Sequence, residues 1–228
     1  MMEKRYTGRT IILIFLATLT GMFSCKEIDE DPGLIKVSLV MSSSGDEALG
    51  IEEGKFFVNE IFIEAQTESG NRTNFNEELR QEFVLGPAGK EEMLQFRLPP
   101  AVYTSMKIRL ELRSENEQSS IYLKGERKGL GPLPLPFVFE NRSSEQVDME
   151  VRGVSGNQVV VKRGAQNLIT LEVKPQVWFQ PIGLGQWLAG ELRPFEGKET
   201  VWISSEHNPE MFQIVNGRLK QSFSAKFE

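Results

Sequence analysis

The most restrictive feature of this sequence is a two-residue alternation running over residues 102–113. Val102, Thr104, Met106, Ile108, Leu110 and Leu112 fall on one side, and Tyr103, Ser105, Lys107, Arg109, Glu111 and Arg113 on the other. A helix turns about 100° per residue and would scatter those apolar side chains around its circumference, whereas a pleated strand gathers them on one face. The stretch therefore predicts a half-buried strand. Val147, Met149 and Val151 repeat the pattern, as do Ile169, Leu171 and Val173.

Further strands are predicted over 34–41, 55–65, 82–85, 93–98, 120–124, 137–140, 158–162 and 176–180. Between them stand turn-forming clusters such as Gly86-Pro87-Ala88-Gly89. Short strands at this spacing predict an all-β chain, folded as an antiparallel β-sandwich over 34–182. The run Pro132-Leu133-Pro134-Leu135-Pro136 lacks the N–H groups a ladder needs, and is expected to form a stiff connection crossing between sheets. Residues 183–228 read as a C-terminal extension. Asn208-Pro209-Glu210 supplies an N-cap, a proline for the first helical position and an acid in the first turn. A short helix is expected over 209–220, then a final strand with Phe223, Ala225 and Phe227 on one face.

Charge and composition exclude several function classes. The 228 residues contain 26 basic and 32 acidic side chains, a formal charge of −6. Without residues 1–24 the balance becomes 23 against 31, or −8. So acidic a body does not suit sequence-independent binding to nucleic acid. One Cys and one His are present, so a single chain can build neither a disulfide framework nor a Cys/His zinc site. No cofactor is expected.

The N-terminus reads as an address. Lys4, Arg5 and Arg9 precede the apolar run 11–23, a signal-peptide pattern too short to span a bilayer. The run ends in Met22-Phe23-Ser24-Cys25, which resembles a bacterial lipobox, in which the Cys is acylated and becomes the new N-terminus. Residues 25–33 then form an acidic tether. Its Lys26, Glu27, Asp29, Glu30 and Asp31 resemble the surface-export signal of Bacteroidota lipoproteins. These features imply a protein held in the outer membrane by a lipid on Cys25 and facing the cell surface.

Leu98-Pro99-Pro100-Ala101-Val102-Tyr103-Thr104-Ser105-Met106-Lys107-Ile108 resembles the tyrosine-bearing strand start of prealbumin-like bacterial lipoprotein domains of unknown function. The later order is similar too: a Pro-Leu-Pro-Phe connection, the strand at 147–151, then 168–173 followed by Lys174-Pro175. The resemblance covers about residues 34–180. It implies a transthyretin-like or immunoglobulin-like sandwich and carries no catalytic residues.

Candidate chemistry is sparse. His207, in Ser204-Ser205-Glu206-His207, reads as a surface-loop histidine rather than part of a triad, because adjacency in sequence is not triad geometry. Pairs such as Glu52-Glu53 and Glu91-Glu92 read as solvated faces, although two acids across a cleft would suit a glycosidase. The aspartates form no Asp-x-Asp-x-Asp-Gly loop, so no metal site is expected. Trp178, Trp187 and Trp202 are the ligand-binding candidates, since an exposed tryptophan stacks against a sugar ring. The expectation is a non-enzymatic surface lipoprotein with a binding or envelope-accessory role, its partner a glycan or an envelope protein. The alternative is a fimbrial or adhesin-type subunit that joins neighbours by strand addition, with 221–228 as its displaceable strand.

Overall fold

A computed structural model describes residues 31–42, 48–113, 118–129, 131–153 and 156–228. The signal segment, Cys25 and residues 26–30 lie outside the described residues. Pro32–Glu228 forms one compact unit. Among the described residues, no helix is long and apolar enough to cross a membrane.

The body is all-β. Its strands are β1 (Gly33–Met41), β2 (Leu49–Thr67), β3 (Arg72–Leu85), β4 (Lys90–Leu98), β5 (Ala101–Leu112), β6 (Ile121–Arg127) and β7 (Leu135–Asn141). They continue with β8 (Glu145–Arg152), β9 (Val159–Val161), β10 (Gln166–Val173), β11 (Leu192–Phe195), β12 (Lys198–Ile203) and β13 (Phe223–Phe227). Three short helices follow β10 in the chain: α1 (Gln176–Phe179), α2 (Leu184–Ala189) and α3 (Pro209–Asn216).

The strands form one hydrogen-bonded path, β11-β12-β7-β6-β2-β5-β8-β13-β10-β1-β4, with β3 on β2 and β9 on β5. It is a mixed sheet curled into a half-barrel. The antiparallel expectation is corrected at three pairings, β1 with β10, β7 with β12 and β8 with β13, which are parallel.

A single long hairpin organises the sheet. β5 and β6 lie end to end along one edge of β2, with Val58 opposite Leu112 and Phe56 opposite Ile121. Phe57 sits at the join: its N–H donates to the Ser120 carbonyl (3.0 Å), and its carbonyl accepts from Arg113 N–H (3.2 Å). β7 and β8 run back along β6 and β5 in the same tandem way, and β9 completes the line against Ala101–Tyr103. The proline-rich run is thus the tip of a hairpin between the antiparallel neighbours β6 and β7, not a crossing between sheets. Pro132 and Pro134 suit that tip, where no ladder bond is asked of them, and Leu135-Pro136 open β7.

The alternation in β5 breaks once. A register shift opposite Gln66–Thr67 turns Tyr103 into the core, 1% exposed, and leaves Val102 outside, 40% exposed. One extra residue in a strand pair moves the following side chains to the other face. The Tyr103 hydroxyl donates to the Pro99 carbonyl (2.9 Å) and closes the β4–β5 corner. Burial pushes this phenol up from its ordinary ionisation range.

The stretch predicted as a strand over 176–180 is the helical turn α1, so Trp178 and Phe179 are both buried rather than divided between two faces. α3 ends at Asn216, and a 3-10 turn over Leu219–Ser222 leads into β13. Phe223, Ala225 and Phe227 share the buried face of β13, as expected. That strand lies between β8 and β10, and β12 lies beside β7, which makes residues 183–228 part of the main sheet. Core side chains such as Ile35, Phe56, Ile61, Leu110 and Phe139 are fully enclosed. Each contributes about 1.5–3 kcal/mol by leaving water.

Candidate functional site: an aromatic outer face

The three tryptophans part company in the fold. Trp178 and Trp187 are 0% and 1% exposed and belong to the core. The Trp178 indole N–H donates to Ser222 Oγ. The Trp187 ring meets Phe137 edge-on at 5.4 Å and lies 6.2 Å from Phe179. Neither presents a ring face to a ligand. Trp202 projects from the other side of the same sheet and is half-buried.

The elements that place Trp202 follow from local chemistry. β11 and β12 form a two-residue hairpin whose central residues, Glu196 and Gly197, both have positive φ (49° and 78°). That conformation matches the twist of the flanking strands and favours glycine at the second position. The turn sets Phe195 opposite Lys198, and the parallel pairing with β7 sets Trp202 opposite Val138. Trp202 and Phe195 then meet edge-to-face, with centroids 5.4 Å apart and planes at 73°.

Charged groups frame the rings. The Trp202 indole N–H donates to Glu140 Oε2 (3.3 Å). Glu140 Oε1 accepts from Ser119 Oγ (2.7 Å) and Arg142 Nε (2.9 Å), so this carboxylate is fully engaged. Lys124 lies 5.8 Å from the Phe195 ring centroid and pairs with Glu196. Hydrogen bonding to Glu196 holds its ammonium above the usual lysine range. On the next strands Lys55 sits 5.5 Å from the Tyr122 ring centroid and 3.4 Å from Glu53. Burial, then the carboxylates of Glu53, Glu196 and Glu140, push the Tyr122 phenol up to about 12. It therefore stays a neutral donor at any physiological pH. A recess of about 80 Å³ opens beside these groups, lined by Lys124, Glu126, Pro136, Val138, Phe195 and Lys198 among others.

A second, larger recess of about 260 Å³ lies on the outer face of β2, β5 and β8, around Phe62, Lys107, Arg109 and Asp148. Arg109 Nε bonds Asp148 Oδ1 at 2.7 Å and holds that carboxyl below its ordinary range. Phe62 is the only aromatic ring there, and the cations face acids across the strands, Arg109 against Asp148 and Lys107 against Glu150.

His207 is not poised for catalysis. Its Nε2 meets Arg193 Nη1, and its Nδ1 lies 3.4 Å from Glu191 Oε1. Ser204 Oγ instead accepts the backbone N–H groups of Glu206 (3.2 Å) and His207 (3.1 Å), which ties the turn rather than arming a nucleophile. Asn208 stands before α3 as expected, yet its side chain does not cap that helix. Its amide donates to the carbonyls of Trp202 (2.8 Å) and Glu191 (3.1 Å), and its oxygen accepts Glu191 N–H (2.7 Å). It pins β12 to the segment before β11, and so supports the aromatic face. Among the described residues no three His, Cys, Asp or Glu side chains gather where they could hold a metal ion.

No protein family, curated protein or solved structure matches this chain. The site therefore has to be read from its own chemistry. Sequence reasoning named Trp202 but missed Tyr122, Phe195, Lys124 and Glu140. A usable signal was present: Glu196-Gly197, a hairpin-turn pair, brings Phe195 and Trp202 onto one face.

Proposed function

We propose that this chain is a non-enzymatic, lipid-anchored protein of the outer membrane, displayed at the cell surface, whose aromatic outer face captures glycans. The observation that carries the ligand class is the Trp202–Phe195 pair, half-buried and bordered by Lys124, Glu196 and Lys198. Aromatic rings with polar groups at their margins suit sugars, whose C–H faces stack while their hydroxyls take hydrogen bonds. In this reading Cys25 carries the lipid, and residues 26–31 serve as spacer and export signal. The kinship with prealbumin-like lipoprotein domains, and with it the transthyretin-like or immunoglobulin-like sandwich, belongs to the same proposal. It draws support from Tyr103, which closes the β4–β5 corner within the very stretch that carries the resemblance.

The test is binding of the mature protein to a broad glycan panel, read by tryptophan fluorescence and confirmed by calorimetry. The expected result is a saturable hit weakened at least tenfold by Trp202→Ala and unchanged by Trp187→Phe. Silence across the panel from a folded protein would overturn the glycan class.

A further inference from the structure

The end of the body at which the chain enters differs in charge from everything else. Residues 32–228 hold 22 basic and 27 acidic groups, a net −5. Yet register places a run of cations together at one end. Gly33 opens β1 there, opposite Leu98 at the end of β4 and one position from the Leu34–Gln166 pair. Gly33 lies so close to β9 that a Cβ on it would meet Val161 at 2.5 Å and the Lys162 carbonyl at 3.0 Å. At the same end β13 finishes with Lys226 in register with Arg152, and Glu228 bonds back to Leu168. The β2–β3 turn arrives there too, since Thr67 pairs with Tyr103 and Gln66 with Arg72. The end thus collects Arg72, Arg97, Arg152, Lys162, Arg163 and Lys226, all exposed, against Glu68, Glu228 and Glu64, the last paired with Arg72 at 3.9 Å.

Two of these cations are arranged unlike those on the outer face of β5 and β8. On the outer face of β5 and β8 opposite charges sit in register, Arg109 with Asp148 and Lys107 with Glu150. Arg152 and Lys226 instead set like charges side by side, which destabilises a sheet unless an anion lies over them. No ion pair joins Arg97, Arg152, Lys162 or Lys226 to a carboxylate among the described residues, whereas Lys36, Lys124 and Lys174 each have one. Next to them Val102 and Val160 form an exposed cross-strand pair, 40% and 45% accessible. An apolar spot bordered by Arg97, Arg152, Lys162 and Lys226 has the chemistry of a surface that meets lipid headgroups.

We propose that this end of the body rests on the phosphate-bearing headgroups of the leaflet that holds the anchor, an inference that relies on the reading of Cys25 as lipidated. Eight peptide steps separate Cys25 from Gly33 and span at most about 28 Å. A tether that short keeps the basic end at high effective concentration over the membrane, so a weak surface affinity is enough to seat it. Seated this way, the body stands end-on, with the β6–β7 hairpin tip at the far end of the long ladder from Val160.

Because Cys25 is the only cysteine, an introduced thiol takes a single fluorophore. The acylated protein would be reconstituted with Val160→Cys or Leu133→Cys, each labelled, in vesicles containing brominated lipids. Vesicles of phosphatidylcholine alone would be compared with vesicles carrying about a third phosphatidylglycerol. The expected result is quenching at position 160 at least threefold above that at 133 in the anionic vesicles. It should fall on phosphatidylcholine alone, in 0.5 M salt, and in the double variant Arg152→Glu/Lys162→Glu with an unchanged circular dichroism spectrum. Equal quenching at the two positions, or quenching at 160 indifferent to charge reversal, in protein that still floats with vesicles would overturn the docking and leave the anchor standing. Protein recovered without an acyl chain and floating with neither vesicle would overturn the anchor, and the docking with it.

Discussion

Strand β7 carries two aromatic clusters back to back. Inward, Phe137 and Phe139 pack against Trp178, Phe179, Trp187 and Phe212, with ring centroids 5.0–6.2 Å apart. Outward, across Val138 and Glu140, stand Trp202, Phe195 and Tyr122. The chemistry of the residues is similar and the surroundings are opposite. The inner rings are buried against one another, with Ser222 Oγ accepting from Trp178, whereas each outer ring has a carboxylate or an ammonium at its margin. Composition therefore says little about which tryptophan can bind; the strand face decides it.

The comparison breaks most visibly in stability. Trp178→Ala removes a fully buried ring and the indole donor to Ser222 Oγ, and should cost about 3–5 kcal/mol in chemical denaturation. Trp202→Ala, on a half-buried face, should cost about 1 kcal/mol. Equal losses from the two would mean that the outer cluster is as much a core as the inner one.

Alkaline titration sharpens the contrast. The Tyr122 phenol is held neutral to about 12, above the ordinary 10. A raised phenol favours the folded state while it remains protonated, and that contribution is lost as pH climbs from 10 through 12. Ultraviolet absorbance should show late tyrosinate ionisation, from which Tyr122→Phe removes one phenol and leaves the raised Tyr103. If every tyrosine ionised near 10, neither the burial of that ring nor the carboxylates of Glu53, Glu196 and Glu140 around it would hold.

The smallest effect is expected on the β2–β5–β8 face. The Arg109–Asp148 pair is 50% and 61% exposed, so Asp148→Asn should cost no more than about 0.5–1 kcal/mol at neutral pH. The depressed carboxyl gives its share of stability above the unfolded pKa of an aspartate and loses it as pH falls through the folded one. The wild type and the variant should therefore converge in acid. A difference that persisted at low pH would assign the loss to packing around Phe62 rather than to charge.

Much of the fold was legible because one-sided burial writes itself as alternation. β5, β8, β10 and β13 each show it, and each lies where it was expected. The misses have physical reasons. α1 is four residues long, so its Trp178 and Phe179 cannot display a helical period. β11 and β12 were not foreseen: Pro194 interrupts the first, and Val201 and Thr200 are adjacent yet both buried in the second, which hides the alternation. The parallel pairings were out of reach too, since the hydrophobic pattern of a strand does not name its neighbour. Of the candidate site only Trp202 was visible, because Tyr122, Lys124 and Glu140 become neighbours through register alone.

The placement of β13 bears on how the molecule is made. Residues 223–227 come after every other strand along the chain, yet they fill the gap between β8 and β10, with five register pairs on one side and two on the other. The long hairpin can assemble from its own neighbours, but the two halves of the sheet cannot join until β13 takes its place between them. Without 223–227 the other strands would remain, with the edges of β8 and β10 left open to any passing protein. The joint that makes one sheet of the two halves thus lies at its centre and not at its rim.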